Sequence, residues 1–201
     1  SAVVKGDGGA EYRTKLRVLF AQLEALTGLE FSVPESDSAA TTDVIFSDRD
    51  WYRSQAARSF QEPDQVQCFS NTSANIYGEI QTATVVIPND LGTERVGECL
   101  AHEIMHPLGF PGPPQRTFYS ALGNGNSPEV FTVNDLIIIR ALYDPRLTTA
   151  MLRDEVLATA RIVMIELLER VKDSDDPLGA LAQRQPVNWW EFGRPGNFGD
   201  L

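Results

Sequence analysis

His102, Glu103 and His106 form the run H-E-I-M-H, set in a stretch that must be a buried helix and must stop at once. Ahead of it stands V-G-E-C-L-A, Val96 to Ala101, with Val96, Cys99 and Leu100 spaced to face inward. Behind it comes P-L-G-F-P-G-P-P, Pro107 to Pro114. Gly109 can close a helix in the left-handed region, and the prolines forbid its continuation. His102 and His106 are also the only two histidines in 201 residues. On a helix, positions i and i+4 lie one above the other on one face. Two imidazole nitrogens then approach one ion, and the intervening carboxylate reaches water beside it. The pattern points to a zinc hydrolase, most often a peptidase. His102 and His106 would hold Zn2+, and Glu103 would act as general base.

The rest of the composition narrows the partners. With 42% hydrophobic and 22% charged residues, the chain is globular rather than disordered. It is long enough for one core, or one core plus a helical extension. A net charge of -11 disfavours nucleic acid or an anionic membrane surface. No apolar run exceeds that of Leu136 to Ile139, far short of the roughly 18 residues of a membrane span. No integral membrane segment is therefore expected. Cys68 and Cys99, the only cysteines, are expected to form one disulfide, which implies an oxidising compartment and a secreted or periplasmic protein. The opening S-A-V-V-K-G-D-G-G reads as a mature or trimmed start.

Periodicity predicts an amphipathic helix from about Tyr12 to Thr27, stopped by Gly28. Leu29 to Val33 and Val44 to Phe46 read as strands, Trp51 to Phe60 as a second helix, and Ile76 to Ile87 as a strong strand. The histidine helix is expected from about 93 to 108, and a Gly/Pro/Asn-rich loop from Gly109 to Pro128. Thr132 or Asn134 would cap a helix from Asp135 to Tyr143. Asp144-Pro145 breaks it, and a long helix covers about 149–172. The expected class is α+β, with a small mixed or antiparallel sheet in the N-terminal half and helices after it. Residues 1–172 are expected to form one domain. Residues 173–201 are expected to form a Pro/Gly-rich aromatic tail, with Trp189, Trp190 and Phe192, that is packed on the domain or flexible.

This order of parts resembles the metzincin zinc peptidases. H-E-I-M-H-P-L-G matches their H-E-x-x-H-x-x-G motif. The strand Gly78 to Pro88 resembles the edge strand that precedes their zinc helix. Phe131 to Asp144 resembles the final matrixin helix. The resemblance implies a zincin fold acting as a monomer on peptide or protein substrates. An extended substrate would add to the strand at Ile80, Thr82 and Thr84. The stretch from about Tyr12 to Val163 is also similar to a bacterial secreted family called domain of unknown function 2927. That family carries C-L-x-E-E-x-x-Q-x-L-G-L-P and then Y-D-P-R-L. Here the same frame reads Cys99-Leu100-Ala101-His102-Glu103, then Leu108-Gly109-Phe110-Pro111, then Tyr143-Asp144-Pro145-Arg146-Leu147. This second similarity is the closer one, and it implies a fold neighbourhood and export rather than a substrate.

The chain departs from the metzincin pattern at two points. The third ligand would fall at Gly112, which has no donor side chain, and Met105, Met151 and Met164 all lie outside the position of the Met-turn, where Ser120-Ala121-Leu122-Gly123-Asn124 stands. A catalytic zinc site takes three protein ligands and water. The candidates for the third are Asp135, Glu129, Tyr119 and Gln115. Asp135 has a competing role as the cap of its helix or as a partner of Arg140 or Arg146. The rival reading is a non-catalytic, metzincin-derived binding protein with an incomplete or structural metal site.

Overall fold

Four short runs pair into one mixed sheet. They are β1 (Ala2–Lys5), β2 (Thr42–Ser47), β3 (Phe69–Ala74) and β4 (Ile80–Pro88). Their order across the sheet is β1-β2-β4-β3. β1, β2 and β4 run parallel, with Val4 opposite Val44 and Val44 opposite Val85. β3 pairs antiparallel with β4, Ser70 opposite Val85. Parallel strands need covered faces and long crossovers. Val3, Val44, Val85 and Ile87 are accordingly buried, and α1 (Arg13–Thr27) lies in the crossover from β1 to β2.

The structure is a computed structural model. It describes residues 1–6, 9–34, 40–76, 79–110, 112, 119–123, 127–148 and 151–183. Backbone contacts divide the chain into two units, Ser1–Ala21 with Glu30–Asp135, and Gln22–Leu29 with Leu136–Leu201.

The first unit holds the sheet, α2 (Arg49–Ala56) and α3 (Thr93–Glu103). Asp48 caps α2, its side chain accepting from the Trp51 amide at 2.8 Å. Tyr52 and Ala56 on α2 pack with Phe69 and Val86 in a buried cluster. α3 follows β4 directly and contacts β3 and β4. A Cys68–Cys99 disulfide, Cα to Cα 5.9 Å, ties the lead into β3 to α3.

Several expectations need correction. Leu29 to Val33 is not a strand. Beside the sheet, Ser32 accepts one backbone bond, from the Ala2 amide at 2.9 Å, and no ladder forms. Alternating residues without a partner strand do not make one. β1 and β3 went unforeseen: β1 is only four residues long, and β3 is a mostly polar run, F-S-N-T-S-A, with a single large apolar residue and no alternation. β4 begins at Ile80 rather than Ile76, and it is not an edge. It pairs with β2 over Ala83–Pro88 and with β3 from Ile80 to Val86. The sheet edges are β1 and β3.

In the second unit, α1 ends at Gly28, whose φ of 71° supplies the left-handed stop. α4 (Val133–Leu142) enters this unit, followed by α5 (Arg153–Val171) and α6 (Pro177–Leu181). α5 buries Val163, Leu167 and Val171, one stripe at helical spacing. Leu181 on α6 is fully buried, and the Arg170 guanidinium donates to the Ala180 carbonyl. α6 falls within the segment expected to be an irregular tail. Trp189, Trp190 and Phe192 lie outside the described residues.

Candidate metal centre

α3 is an α-helix only as far as Glu103. Pro107 has no N–H to give to the Glu103 carbonyl, so an α-helix cannot run through it. The backbone tightens instead: the Met105 amide bonds the His102 carbonyl at 3.2 Å, and a 3-10 turn covers His106–Leu108. The expected single helix of 93–108 is therefore an α-helix followed by a tighter turn. His102 and His106 still share one side. Their ring centroids are 5.2 Å apart, with planes at 71°.

Both rings are held by backbone carbonyls. His102 Nδ1 lies 2.7 Å from the Ala121 carbonyl oxygen, and His106 Nδ1 lies 2.6 Å from that of Phe110. A carbonyl can only accept, so each Nδ1 carries the proton and donates. In a neutral imidazole the other nitrogen, Nε2, then keeps its lone pair. This is the arrangement that orients histidine ligands for a metal. Donor atoms of His102, Glu103 and His106 all lie within 4.8 Å of one another. His106 Nε2 stands 3.7 Å from Glu103 Oε2.

Glu103 is 4% exposed. Burial pushes its carboxyl above the ordinary range, opposed by His102, by a hydrogen bond from Ser70 and by His106. Tyr52 stands close enough to feel that charge. Its phenol is pushed up to about 12, first by burial and then by Glu103, so it stays a neutral donor to the Val66 carbonyl at 2.8 Å. The three residues open onto a cleft of about 1050 Å³. Phe60, Phe69 and Phe110 give it apolar walls, Arg95 and Glu98 a charged pair at 2.6 Å, and β3 one side.

Of the residues expected on the substrate strand, Ile80 lines this cleft. Thr84 lines a separate, smaller hollow with Trp51 and Asn71. Thr82 is spent in the sheet opposite Ser73. Among the described residues, the edge strand that borders the cleft is β3, and Ser70 on it reaches Glu103. Ser70 had one sequence signal, its place two residues after Cys68.

None of the described candidates for a third ligand joins the histidines. Glu129 is ion-paired with Lys15. Tyr119 is 66% exposed, and its carbonyl accepts from Asn134 Nδ2 at 3.0 Å. Asp135 is fully buried and saturated. Its carboxylate accepts from the Ser120 hydroxyl, from the Ala121 amide at 3.0 Å, and from the Thr132 amide and hydroxyl at 2.7 and 2.8 Å. The Asp135 amide returns a bond to Thr132 Oγ1 at 3.3 Å, which makes a reciprocal cap for α4. Asp135 thus takes the capping role weighed against ligation. Gln115 lies outside the described residues.

Gly109 is the residue on which His106 depends. Its φ of 108° and ψ of 12° turn the chain so that the Phe110 carbonyl comes back onto the ring. A side chain there costs about 1–2 kcal/mol. Gly109→Ala is expected to lower the thermal midpoint and, by freeing the ring, to weaken roughly tenfold any zinc affinity the two histidines provide. Unfolding and chelator competition check both. Unchanged zinc affinity would show that the turn does not hold His106.

A mixed α+β chain with a buried carboxylate between two oriented imidazoles is a protein with a candidate transition-metal centre. Residues 4–161 match the family model described as protein of unknown function (DUF2927), and the chain belongs to that family. The match does not extend to the metzincins. No curated protein and no solved structure matches the chain.

Proposed function

We propose that the protein is a zinc-dependent metallopeptidase of metzincin-like build that hydrolyses peptide bonds in peptide or protein substrates. One observation carries this reading: both imidazoles donate from Nδ1 to backbone carbonyls, which leaves each Nε2 with its lone pair, and ligand atoms of both rings and of a buried carboxylate lie within 4.8 Å of one another. Two neutral imidazole donors suit zinc, and their bonded Nδ1 protons are the second contact that ligating histidines make. His102 and His106 would hold the ion. Bound zinc supplies Lewis acidity, acidifying water and polarising a carbonyl oxygen.

The chain's own groups do the rest. Glu103 Oε2, 3.7 Å from His106 Nε2, takes a proton from the attacking water and passes it to the leaving amine. Burial favours this exchange, because a raised carboxyl pKa lets Glu103 both accept and return the proton. Among the described residues β3 is the edge strand along the cleft, and an extended peptide would pair with it through main-chain bonds. The Cys68–Cys99 disulfide supports an oxidising compartment, secreted or periplasmic, for a protein acting as a monomer.

A second reading, a non-catalytic metal site in a binding protein, is favoured by the donor set itself. Among the described residues, the only His, Cys, Asp or Glu side chains gathered here are His102, Glu103 and His106. If Glu103 serves as the third ligand, no base is left. Elemental analysis of the purified protein beside His106→Ala tests the site. About one equivalent of zinc is expected in the parent and little in the variant. No zinc in either after zinc is supplied would overturn both readings.

A further inference from the structure

We infer that Asp135 is a positioning residue for the metal centre, acting on His102 through Ser120 and the backbone on either side of Ala121, and through no contact of its own with the ion. The inference rests on the zinc reading above for its affinity readout, and on the hydrogen bonds alone for the rest. The His102 ring is fixed by the Ala121 carbonyl at 2.7 Å. Ala121 is not part of a helix or strand that would hold that carbonyl in place. That carbonyl shares its peptide with the Leu122 N–H, which is held by Ser120 Oγ, and Asp135 binds both Ser120 and the N–H of the preceding peptide. The Ala121 amide donates to both carboxylate oxygens, at 3.1 and 3.0 Å, and the neighbouring Ser120 hydroxyl donates to Oδ1. Ser120 Oγ in turn accepts from the Leu122 amide at 3.0 Å, so three successive residues of the loop are tied down.

Charge matters in this brace. Each of the four groups that meet the carboxylate is a donor: the Ser120 hydroxyl, the Ala121 amide, the Thr132 amide and the Thr132 hydroxyl. A carboxylate accepts from all of them, whereas the neutral amide of an asparagine must turn an N–H₂ toward one pair. Asp135 is 0% exposed and Ser120 2%, so water does not repair the loss. The backbone on either side of Ala121 would then tilt, and the Nδ1 proton of His102 would lose its fixed acceptor. Ligand tautomer and ring direction depend on such outer contacts, and losing one typically costs 10–100-fold in metal affinity.

Asp135 also caps α4, so the test must separate the two roles. Thr132→Ala removes the hydroxyl half of the reciprocal cap and leaves the bonds from the Thr132 amide, Ser120 and Ala121 to Asp135. Asp135→Asn disturbs both. Each variant is compared with the full chain by chelator competition for zinc. The His102 ring is also read by nitrogen–proton NMR in the metal-free protein, at a pH where both rings are neutral. With two histidines in the sequence, the spectrum is assignable from one His106→Ala sample. The expected result is that Thr132→Ala lowers the thermal midpoint but keeps the His102 Nδ1–H tautomer and the parent affinity. Asp135→Asn mixes the tautomers and weakens zinc roughly 10–100-fold. The inference fails if Asp135→Asn keeps both, or if Thr132→Ala loses as much. If Asp135→Asn does not fold, Ser120→Ala removes one bond to the same carboxylate and is read in the same way. If the parent chain binds no zinc, the proposed function falls, while the tautomer comparison still decides the role of Asp135.

Discussion

Replacing Glu103 with glutamine is expected to leave zinc on the protein and to lower peptide hydrolysis by roughly 10²–10⁴-fold. Glutamine keeps the shape and one acceptor of the glutamate, so the cleft wall and the bond from Ser70 survive. It cannot take a proton from water. The substitution also decides between the two readings of the site. Glu103 lies within 4.8 Å of the donor atoms of both histidines, near enough to be either base or ligand. As a base, its loss stops turnover and leaves about one equivalent of zinc. As a ligand, its loss releases the metal as well. Zinc content and casein hydrolysis, measured on the same preparations of the parent and Glu103→Gln, give the answer. Hydrolysis at the parent rate by Glu103→Gln would sink the general-base role outright.

The centre was legible in the sequence where its signals are local. His102, Glu103 and His106 were found because they fall within five residues at helical spacing, and Gly109 because a helix followed by prolines needs a left-handed stop. The disulfide followed from a single cysteine pair. The α+β class, with a sheet in the N-terminal half and helices after it, followed from the order of apolar runs, but two of the four strands did not. What was not legible depends on partners distant in the chain. β3 has a polar sequence, and it is a strand because β4 lies beside it. For the same reason β4 was taken for an edge: nothing in I-Q-T-A-T-V-V-I-P announces that F-S-N-T-S-A will pair with it. Asp135 was a candidate ligand because a catalytic zinc takes a third protein donor and no third histidine exists, with capping of its helix as the competing role. Its four donors come from Ser120, Ala121 and Thr132, and only the folded loop brings them together. The end of the α-helix at Glu103 was implicit in Pro107, whose missing N–H is felt one turn earlier.

Asp144→Asn is expected to destabilise the protein by about 3 kcal/mol at neutral pH, a fall of roughly 10 °C in the thermal midpoint. Asp144 belongs to the Y-D-P-R-L run of the second unit and is 6% exposed. Its carboxylate accepts from the Arg146 amide at 3.1 Å and from Arg146 Nε at 2.8 Å, while Arg140 Nη1 stands 3.6 Å away. Arg146 reaches on to Glu166 at 2.7 Å, so the run clasps the chain after α4 to the outer face of α5. Burial alone would raise the Asp144 carboxyl. The bonds from Arg146 outweigh it, with Arg140 adding to them, and hold the carboxyl below its ordinary value of 3.8. A group with a depressed folded pKa contributes stability above its unfolded pKa and loses it as pH falls through the folded one. The contribution of Asp144 is therefore complete at neutral pH and disappears in acid below 3.8. Asparagine cannot ionise, so the gap between parent and variant should be widest at neutral pH and should close as the parent is acidified. Removing the carboxylate also strands the Arg140 guanidinium, whose side chain is 11% exposed and whose Nε has no hydrogen-bond partner among the described residues. Denaturant unfolding of both proteins over a pH series measures the gap directly. A gap that stays constant down the series would mean that Asp144 acts by shape and hydrogen bonding, with its charge contributing nothing to the clasp.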